Sequence, residues 1–424
     1  MNMERGFETF GEDPISLEQI TENLKRQDGK IFVGDALEKS LQSIESLPTD
    51  NNKALVLGEI TDLLLDSDLI YLAKRFGEEA LDSIEGIKTT AEKAKTLSRI
   101  ASIFADYEFK HTSEKIFAKA WEEAERIEDE GKRVQVFLSI IEDQLDRNLN
   151  EKLEKNLDEV LSKALHLSEG EHDILPLAMT AETMAKIKGK KAEEICNRVL
   201  EYANNLELED DHGWIIGSVA KAFSRIGKHE KSMELMRKLI SKSGSDIPLV
   251  EVAITLSEEG QTERALELKD YVDNEELKDS LMGVIAADLI NREFIDEALN
   301  LKKDIKDEFE TDLLLKNLIR YYAPRDREKA MMYLQDISSL EMKALGYSEL
   351  AKSHLQEDGH RRAKELALKA LDMIVDAKSE SIKLELIETL MEVGLEDKAI
   401  ELAEDITSSE ERAIAFGSIA ASSY

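Results

Sequence analysis

The stretch LELEDDHGWIIGSV, residues 206–219, holds the residues best suited to chemistry in this sequence. Asp210 and Asp211 precede His212, and a similar corner, GEHDILP, contains His172. Imidazole and carboxylate groups together bind divalent metals or transfer protons. Side-chain oxygens in such corners also accept the free N–H groups of a helix's first turn. His172 and His212 are therefore candidate metal ligands, and helix capping is the favoured interpretation of both corners.

Motifs for nucleotide binding or catalysis are missing elsewhere. The 20 glycines never form a GxGxxG or GxxxxGK loop, and no Gly-x-Ser-x-Gly or His-Glu-x-x-His motif occurs. The one cysteine, Cys196, excludes an internal disulfide and lies at an apolar helical position, which predicts a buried, inert thiol. The sequence therefore predicts neither an enzyme nor a cofactor.

Composition favours helices. Of the 424 residues, 42% are hydrophobic, 34% are charged and only 5 are proline, and the strong helix formers dominate.

The net charge of −34 would repel phosphate groups, so binding to nucleic acid or to an anionic membrane is not expected. The first residues have neither the basic flank nor the apolar core of a secretory signal, and no apolar run reaches membrane-spanning length. These features predict a cytoplasmic protein.

A helical pattern with a small residue recurs through the second half. Its small residues are Ser232, Ala265, Ala298, Ala330, Ala363 and Ala399, separated by 33, 33, 32, 33 and 36 residues. An amphipathic helix precedes each, with a small residue 12 positions earlier at Ala220, Ala253, Ala286 and Ala351, and with Leu318 before Ala330. Two antiparallel helices approach closely only where side chains are small. The pattern therefore predicts helix hairpins, with glycine ending the first helix at Gly227, Gly260 and Gly394.

This skeleton resembles the tetratricopeptide repeat, in which both helices carry a small residue at the same separation. The resemblance covers about 207–424 and is weaker over 33–206, and the family's Trp–Leu–Gly–Tyr signature and closing proline are not kept. It implies an all-α fold, an α-solenoid of about ten stacked antiparallel hairpins with a right-handed superhelix. A HEAT-type array is the alternative.

Three segments follow from this pattern. Residues 1–30 hold one expected helix, from Pro14 to about Arg26; residues 31–206 hold longer-period repeats; and residues 207–424 hold the regular repeats, as one continuous solenoid with 31–206. The final helix, SSEERAIAFGSIAASSY, has no following partner and is apolar on most sides. It predicts an oligomer contact through Ile414, Phe416 and Ile419, and hence a homodimer. Alternatively, the helix packs into the last groove of its own chain.

The resemblance also implies a concave groove lined by the first helices. The family's exposed positions, three before and one after the small residue, are Gly217, Lys221, Val250, Ile254, Gly283, Ala287, Leu315, Ile319, Ser348 and Lys352, flanked by Trp214 and Tyr322. The family's clamp for an acidic chain terminus is not reproduced. An apolar helical or extended segment, or a basic one, is therefore the expected ligand. Alternatively, strong curvature packs these positions together and leaves no groove.

The function expected from the sequence is a non-enzymatic scaffold or adaptor that binds a protein or peptide in this groove. The alternative is a metal- or ligand-binding regulator or an enzyme, using the His172 and His212 corners or an internal pocket.

Overall fold

The computed structural model describes residues 16–26, 31–107, 109–147, 149, 153–170, 173–187, 190–205, 212–240, 246–355, 359–374 and 379–423. These residues form α-helices and no strand. The chain divides into two compact units, unit 1 with Met1–Arg126 and Lys343–Tyr424, and unit 2 with Ile127–Met342. The expected change from longer-period to regular repeats between residues 206 and 207 stays a prediction.

The helices run, in chain order, α1 (Leu17–Lys25), α2 (Ile31–Glu45), α3 (Asp50–Asp66), α4 (Ile70–Ile84), α5 (Thr90–Asp106), α6 (Lys110–Glu125), α7 (Glu130–Asp146), α8 (Leu153–Gly170), α9 (Leu175–Lys186), α10 (Lys190–Asn205), α11 (His212–Arg225), α12 (His229–Ile240), α13 (Asp246–Glu258), α14 (Thr262–Lys269), α15 (Glu275–Asn291), α16 (Ile295–Leu301), α17 (Glu308–Tyr322), α18 (Arg327–Asp336), α19 (Leu340–Leu355), α20 (His360–Met373), α21 (Glu380–Glu392), α22 (Glu396–Glu404) and α23 (Ser409–Ser422). We call the odd-numbered helices from α3 onward A helices and the even-numbered ones B helices.

Each unit is a stack of antiparallel helix hairpins. An A helix packs against the B helix that follows it, as in α3 with α4 or α11 with α12, and against the next A helix, as in α11 with α13. The small residues identified in the sequence are all fully buried, namely Ala220, Ser232, Ala253, Ala265, Ala286, Ala298, Ala330, Ala351, Ala363 and Ala399. The predicted all-α helical-repeat fold is thus confirmed, with the small residues at the helix contacts.

In five hairpins the turn between the two helices contains a residue in the left-handed conformation. Gly227, Gly260 and Gly394 take it with φ of 78°, 76° and 71°, as predicted. In two other hairpins Asp68 and Glu293 occupy the same conformation at φ of 60° and 66°. A side chain with a Cβ is strained there, by about 1–2 kcal/mol.

Several of the polar residues before the A helices are N-caps, as the sequence predicted. The side chains of Asn274, Asp307 and Ser408 accept the N–H of the residue three positions later. These caps satisfy donors that the helix itself leaves free.

A second set of caps joins one repeat to the next. Buried Asp279 of α15 accepts the backbone N–H groups of Lys306 and Asp307, at 3.0 and 2.7 Å. Buried Asp312 of α17 does the same for Ser338 and Ser339, at 3.0 and 2.8 Å. A carboxylate near the start of one A helix therefore holds the start of the next A helix, and so sets the stacking register.

Glu380 of α21 repeats this arrangement in unit 1. Its carboxylate accepts the N–H groups of Thr407 and Ser408, at 2.7 and 3.1 Å, and so holds the start of α23. Hydrogen bonds from Thr407 lower the pKa of Glu380 to about 2. Its contribution to stability is therefore fully present above pH 4.5, the ordinary value, and is lost as pH falls towards 2.

The two chain ends form one hairpin in unit 1. α23 is the last of the described helices, and α2, which also packs against α1, is near the start of the chain. These two helices pack against each other, and α23 also packs against the A helices α3 and α21. At this contact Gly417 lies against Ile60, so close that a Cβ on Gly417 would be 2.8 Å from Ile60 Cγ1.

Polar contacts run along the edges of this terminal hairpin. The Ser40 hydroxyl donates to the Ala413 carbonyl at 2.9 Å, and Arg412 Nε donates to Ser43 Oγ at 3.2 Å. Lys39 forms an ion pair with Glu404. The helix that the sequence left unpaired is therefore paired by residues more than three hundred positions earlier.

The apolar side chains expected to meet another chain are covered within this one. Phe416 and Ile419 are 2% and 0% exposed, and Ile414 is half-buried. The packing of α23 against α2 and α3 accounts for this burial, which matches the alternative in which the helix fills a groove of its own chain. A homodimer through other surfaces of this helix stays a prediction.

Replacing Glu293 with glycine is expected to stabilise the protein relative to Glu293→Ala by about 1 kcal/mol, because only glycine is unstrained at positive φ. Both variants lose the exposed pair with Arg325, at 3.3 Å, so their difference isolates the backbone effect. Denaturant unfolding measures it. Gly227→Ala should destabilise the protein by a similar amount, because alanine is strained at φ of 78°. A Cβ there would touch nothing within 4 Å, so the loss reports the backbone alone. Equal stabilities of the two Glu293 variants would contradict this.

Phe416→Ala is expected to cost about 3–5 kcal/mol locally and to loosen α2, far away in sequence, because the two helices cover each other. Hydrogen–deuterium exchange should therefore speed up in residues 31–45 and stay unchanged in α11. The control Val252→Ala removes an equally buried side chain from α13 and should speed exchange there, leaving α2 unchanged. Unaltered protection of α2 in Phe416→Ala would count against the terminal hairpin.

Candidate functional site

The outward side of the A helices in unit 2 carries exposed apolar side chains. α9, α11, α13, α15 and α17 lie side by side, each packed against the next. Trp214, Ile247 and Val284 are 43%, 43% and 42% exposed on three consecutive A helices. Half-buried Leu175, Met179 and Leu313 occupy the corresponding turns of the helices on either side. We call these six residues the apolar row.

Helical geometry explains why these positions point the same way. Residues three, four and seven apart share one face of a helix. Trp214 lies seven residues before Lys221, and Ile247 lies seven before Ile254, so each exposed side chain shares a face with a half-buried one. We call this shared surface of α9 to α17 the A face. A monomeric protein rarely exposes large apolar side chains in such a run without a use for them.

A charged cluster lies next to the apolar row. Lys221 of α11 bridges Glu182 of α9 and Glu251 of α13, with Nζ–O distances of 3.0 and 2.8 Å. Burial of the amine lowers the pKa of Lys221, but the two carboxylates together outweigh it and raise that pKa above its ordinary value. One cation between two anions leaves the cluster net negative.

Further ion pairs tie neighbouring A helices together towards their carboxyl ends. Lys186 Nζ lies 2.8 Å from Glu142 Oε1, and Arg225 Nη2 lies 3.6 Å from Glu258 Oε2. The A face is therefore apolar near the start of its helices and charged near their ends.

The predicted lining of the groove is corrected by the structure. Five of its residues are buried rather than exposed, namely Gly217, Gly283, Leu315, Ile319 and Ser348. The next A helix covers two of these positions: a Cβ on Gly217 would lie 3.0 Å from Pro248 of α13, and one on Gly283 would strike the carboxylate of Glu310 of α17. Adjacent A helices thus approach too closely for Gly217 and Gly283 to face solvent.

The other predicted residues keep partial exposure. Trp214 is exposed, and Lys221, Val250, Ile254, Ala287, Tyr322 and Lys352 are half-buried. The ring of Tyr322 packs against those of Tyr321 and Tyr333, with centroids 5.0 and 5.7 Å away. Lys352, in unit 1, lies 3.8 Å from Glu392 of α21. Partner binding by these residues stays a prediction.

Sequence reasoning missed several residues of the A face. Ile247, Val284 and Met179 form part of the apolar row, and Glu182 and Glu251 hold Lys221. For Ile247, Val284 and Glu251 the signal was present, because each lies three residues from a position that the sequence did identify. On α9, which carries Met179 and Glu182, the sequence had identified no position. What was missing was the direction in which the next A helix lies.

The candidate sites for chemistry gain no support from geometry. His172 lies outside the described residues, and so does the side chain of His212, which begins α11. Across the ranges that the structure describes, no three His, Cys, Asp or Glu residues come together as a metal site would require. Cys196 is fully buried in α10, as predicted, and burial raises the pKa of its thiol to about 12. Among the described helices, none has the length and apolarity to cross a membrane.

Lys221→Met is expected to destabilise unit 2 by about 1–3 kcal/mol, because it leaves Glu182 and Glu251 facing each other without a cation. The triple variant with Glu182→Gln and Glu251→Gln should recover most of that loss, since it removes the repulsion. Thermal and denaturant unfolding compare the variants with wild type. If Lys221→Met alone is as stable as wild type, the expected repulsion between Glu182 and Glu251 is absent, because solvent already screens these charges.

Comparison with known proteins gives only distant structural likenesses. No protein-family model matches the chain, and no curated protein matches it. Among solved structures, Ton1535 from Thermococcus onnurineus NA1 is 16% identical, with a TM-score of 0.35, over 78% of this chain and 99% of that one. A circular tandem repeat protein with novel repeat topology and enhanced subunit contact surfaces is 15% identical, with a TM-score of 0.19, over 95% of this chain and 87% of that one. The helical-repeat assignment therefore rests on the packing of this chain's own helices.

Proposed function

We propose that this chain is a non-enzymatic protein-interaction scaffold, whose A face binds a segment of a partner protein. The observation that carries the proposal is the apolar row, with Trp214, Ile247 and Val284 exposed on three consecutive A helices. Tryptophan is among the residues that most often supply binding energy at interfaces. Hairpins of the tetratricopeptide type, with paired small residues, present their A helices in this way.

The charges indicate what kind of segment would bind. The cluster around Lys221 is net negative, and the whole chain carries a net charge of −34. A segment with apolar side chains for the row and basic residues beside them would match both features. An acidic segment would be repelled.

The proposal predicts that peptides selected for binding will depend on the A face. A library of random peptides, panned against the full chain, is expected to yield apolar, basic sequences. Trp214→Ser and Val284→Ser should each weaken their binding about tenfold, as loss of an anchor residue typically does. Titrations of labelled peptides measure the affinities.

The matched control is Met332→Ser on α18, a B helix. Met332 is 64% exposed and lies outside the A face, so this variant removes an apolar side chain without touching the row. Selected peptides that bind all three variants and the wild type equally well would reject the A face as the binding surface.

A further inference from the structure

The apolar row has a regular spacing set by the packing of the A helices. Packed helices lie about 8–10 Å apart, and the contact between Gly217 and Pro248 shows that α11 and α13 approach closely. Trp214 and Ile247 occupy equivalent positions of these two helices, so they are separated by about that distance. Val284 lies one turn farther along α15, about 6 Å, so the step from Ile247 to Val284 is a diagonal of about 11 Å.

This spacing fits one kind of secondary structure in a partner. In an α-helix, residues seven apart share a face and lie about 10.5 Å from each other along the axis. In a β-strand, residues on one face recur every two positions, so two such residues lie about 7 Å apart and the next about 13 Å away. Neither distance matches the steps of the row from Trp214 to Ile247 or from Ile247 to Val284. A helix that crosses α11, α13 and α15 obliquely could place one side chain against each member of the row.

The surroundings of the row add a charge requirement. Glu251 lies one turn after Ile247 on α13 and shares Lys221 with Glu182. Glu258, farther along the same helix, has a side chain that is 54% exposed. Basic residues along the edge of a docked helix would meet these carboxylates.

We infer that the segment bound by the A face is an amphipathic α-helix with apolar side chains seven residues apart and basic residues beside them, lying across α11, α13 and α15. The inference rests on the proposed function, and it adds the conformation and the side-chain spacing of the ligand.

Three labelled synthetic peptides of identical length, about 21 residues or three heptads, test it. The first contains leucine at every seventh position among alanine and lysine. The second has the same composition with the leucines at every second position. The third is the first with a central alanine replaced by proline, which breaks a helix. Fluorescence anisotropy measures binding of each to the full chain and to Trp214→Ser, Val284→Ser and Met332→Ser.

The first peptide is expected to bind wild type at least about tenfold more tightly than the other two peptides do. Its affinity should fall about tenfold for Trp214→Ser and for Val284→Ser and stay unchanged for Met332→Ser. Trp214→Phe, which keeps an aromatic anchor, should retain most of the binding. Circular dichroism of each variant checks that the helical fold is unchanged.

The remaining outcomes separate the two proposals. If the second or third peptide binds as tightly as the first and still depends on Trp214 and Val284, the helix inference is overturned and the proposed function stands. If no peptide binds, or if binding ignores both A-face substitutions, the proposed function itself fails.

Discussion

Every hairpin in this chain has an apolar side that it cannot cover by itself, and the rest of the structure depends on how neighbours cover it. Fully buried small residues such as Ala253 and Ala265 let the two helices of a hairpin touch. The next A helix then covers the remaining side. Because burial supplies most of the stability of a helical repeat, each hairpin depends on those beside it.

The chain ends are where this dependence is hardest to satisfy. A terminal helix with no neighbour would expose its apolar side to water or to another molecule. In unit 1, α23 packs against α2, α3 and α21, and α2 packs against α1 as well as α23, so both helices have their apolar sides covered. Phe416 and Ile419 thereby become core residues, and Glu380 holds the start of α23 in place.

The same close packing decides which side chains of unit 2 face outward. Gly217 and Gly283 are covered because the neighbouring A helix lies directly over them. Val284 directly follows Gly283 and therefore points about 100° away from it around the helix, where it remains exposed, as does Trp214 on α11. Since consecutive repeats place such positions at a near-constant separation, the packing that stabilises the unit also gives its outer surface a regular spacing. A surface of that kind suits a ligand with its own regular repeat.

The sequence alone determined the helical repeat, the buried small residues and the left-handed glycine turns. These follow from local rules, namely helix propensity, the spacing of apolar residues and the freedom of glycine at positive φ. It also indicated the N-caps, because Asn274, Asp307 and Ser408 act within a few residues of their own position.

Only the tertiary structure decided the pairing of the chain ends, the carboxylate caps between repeats and the exposed face of the A helices. Each depends on contacts between residues far apart in sequence. The Asp312 carboxylate accepts the N–H of Ser338, and the Ser40 hydroxyl donates to the Ala413 carbonyl. A helical pattern shows that a residue such as Gly217 faces another helix or the solvent, but the angle and distance of the neighbouring helix decide which. That geometry arises from many side chains packing at once, and no single repeat contains it.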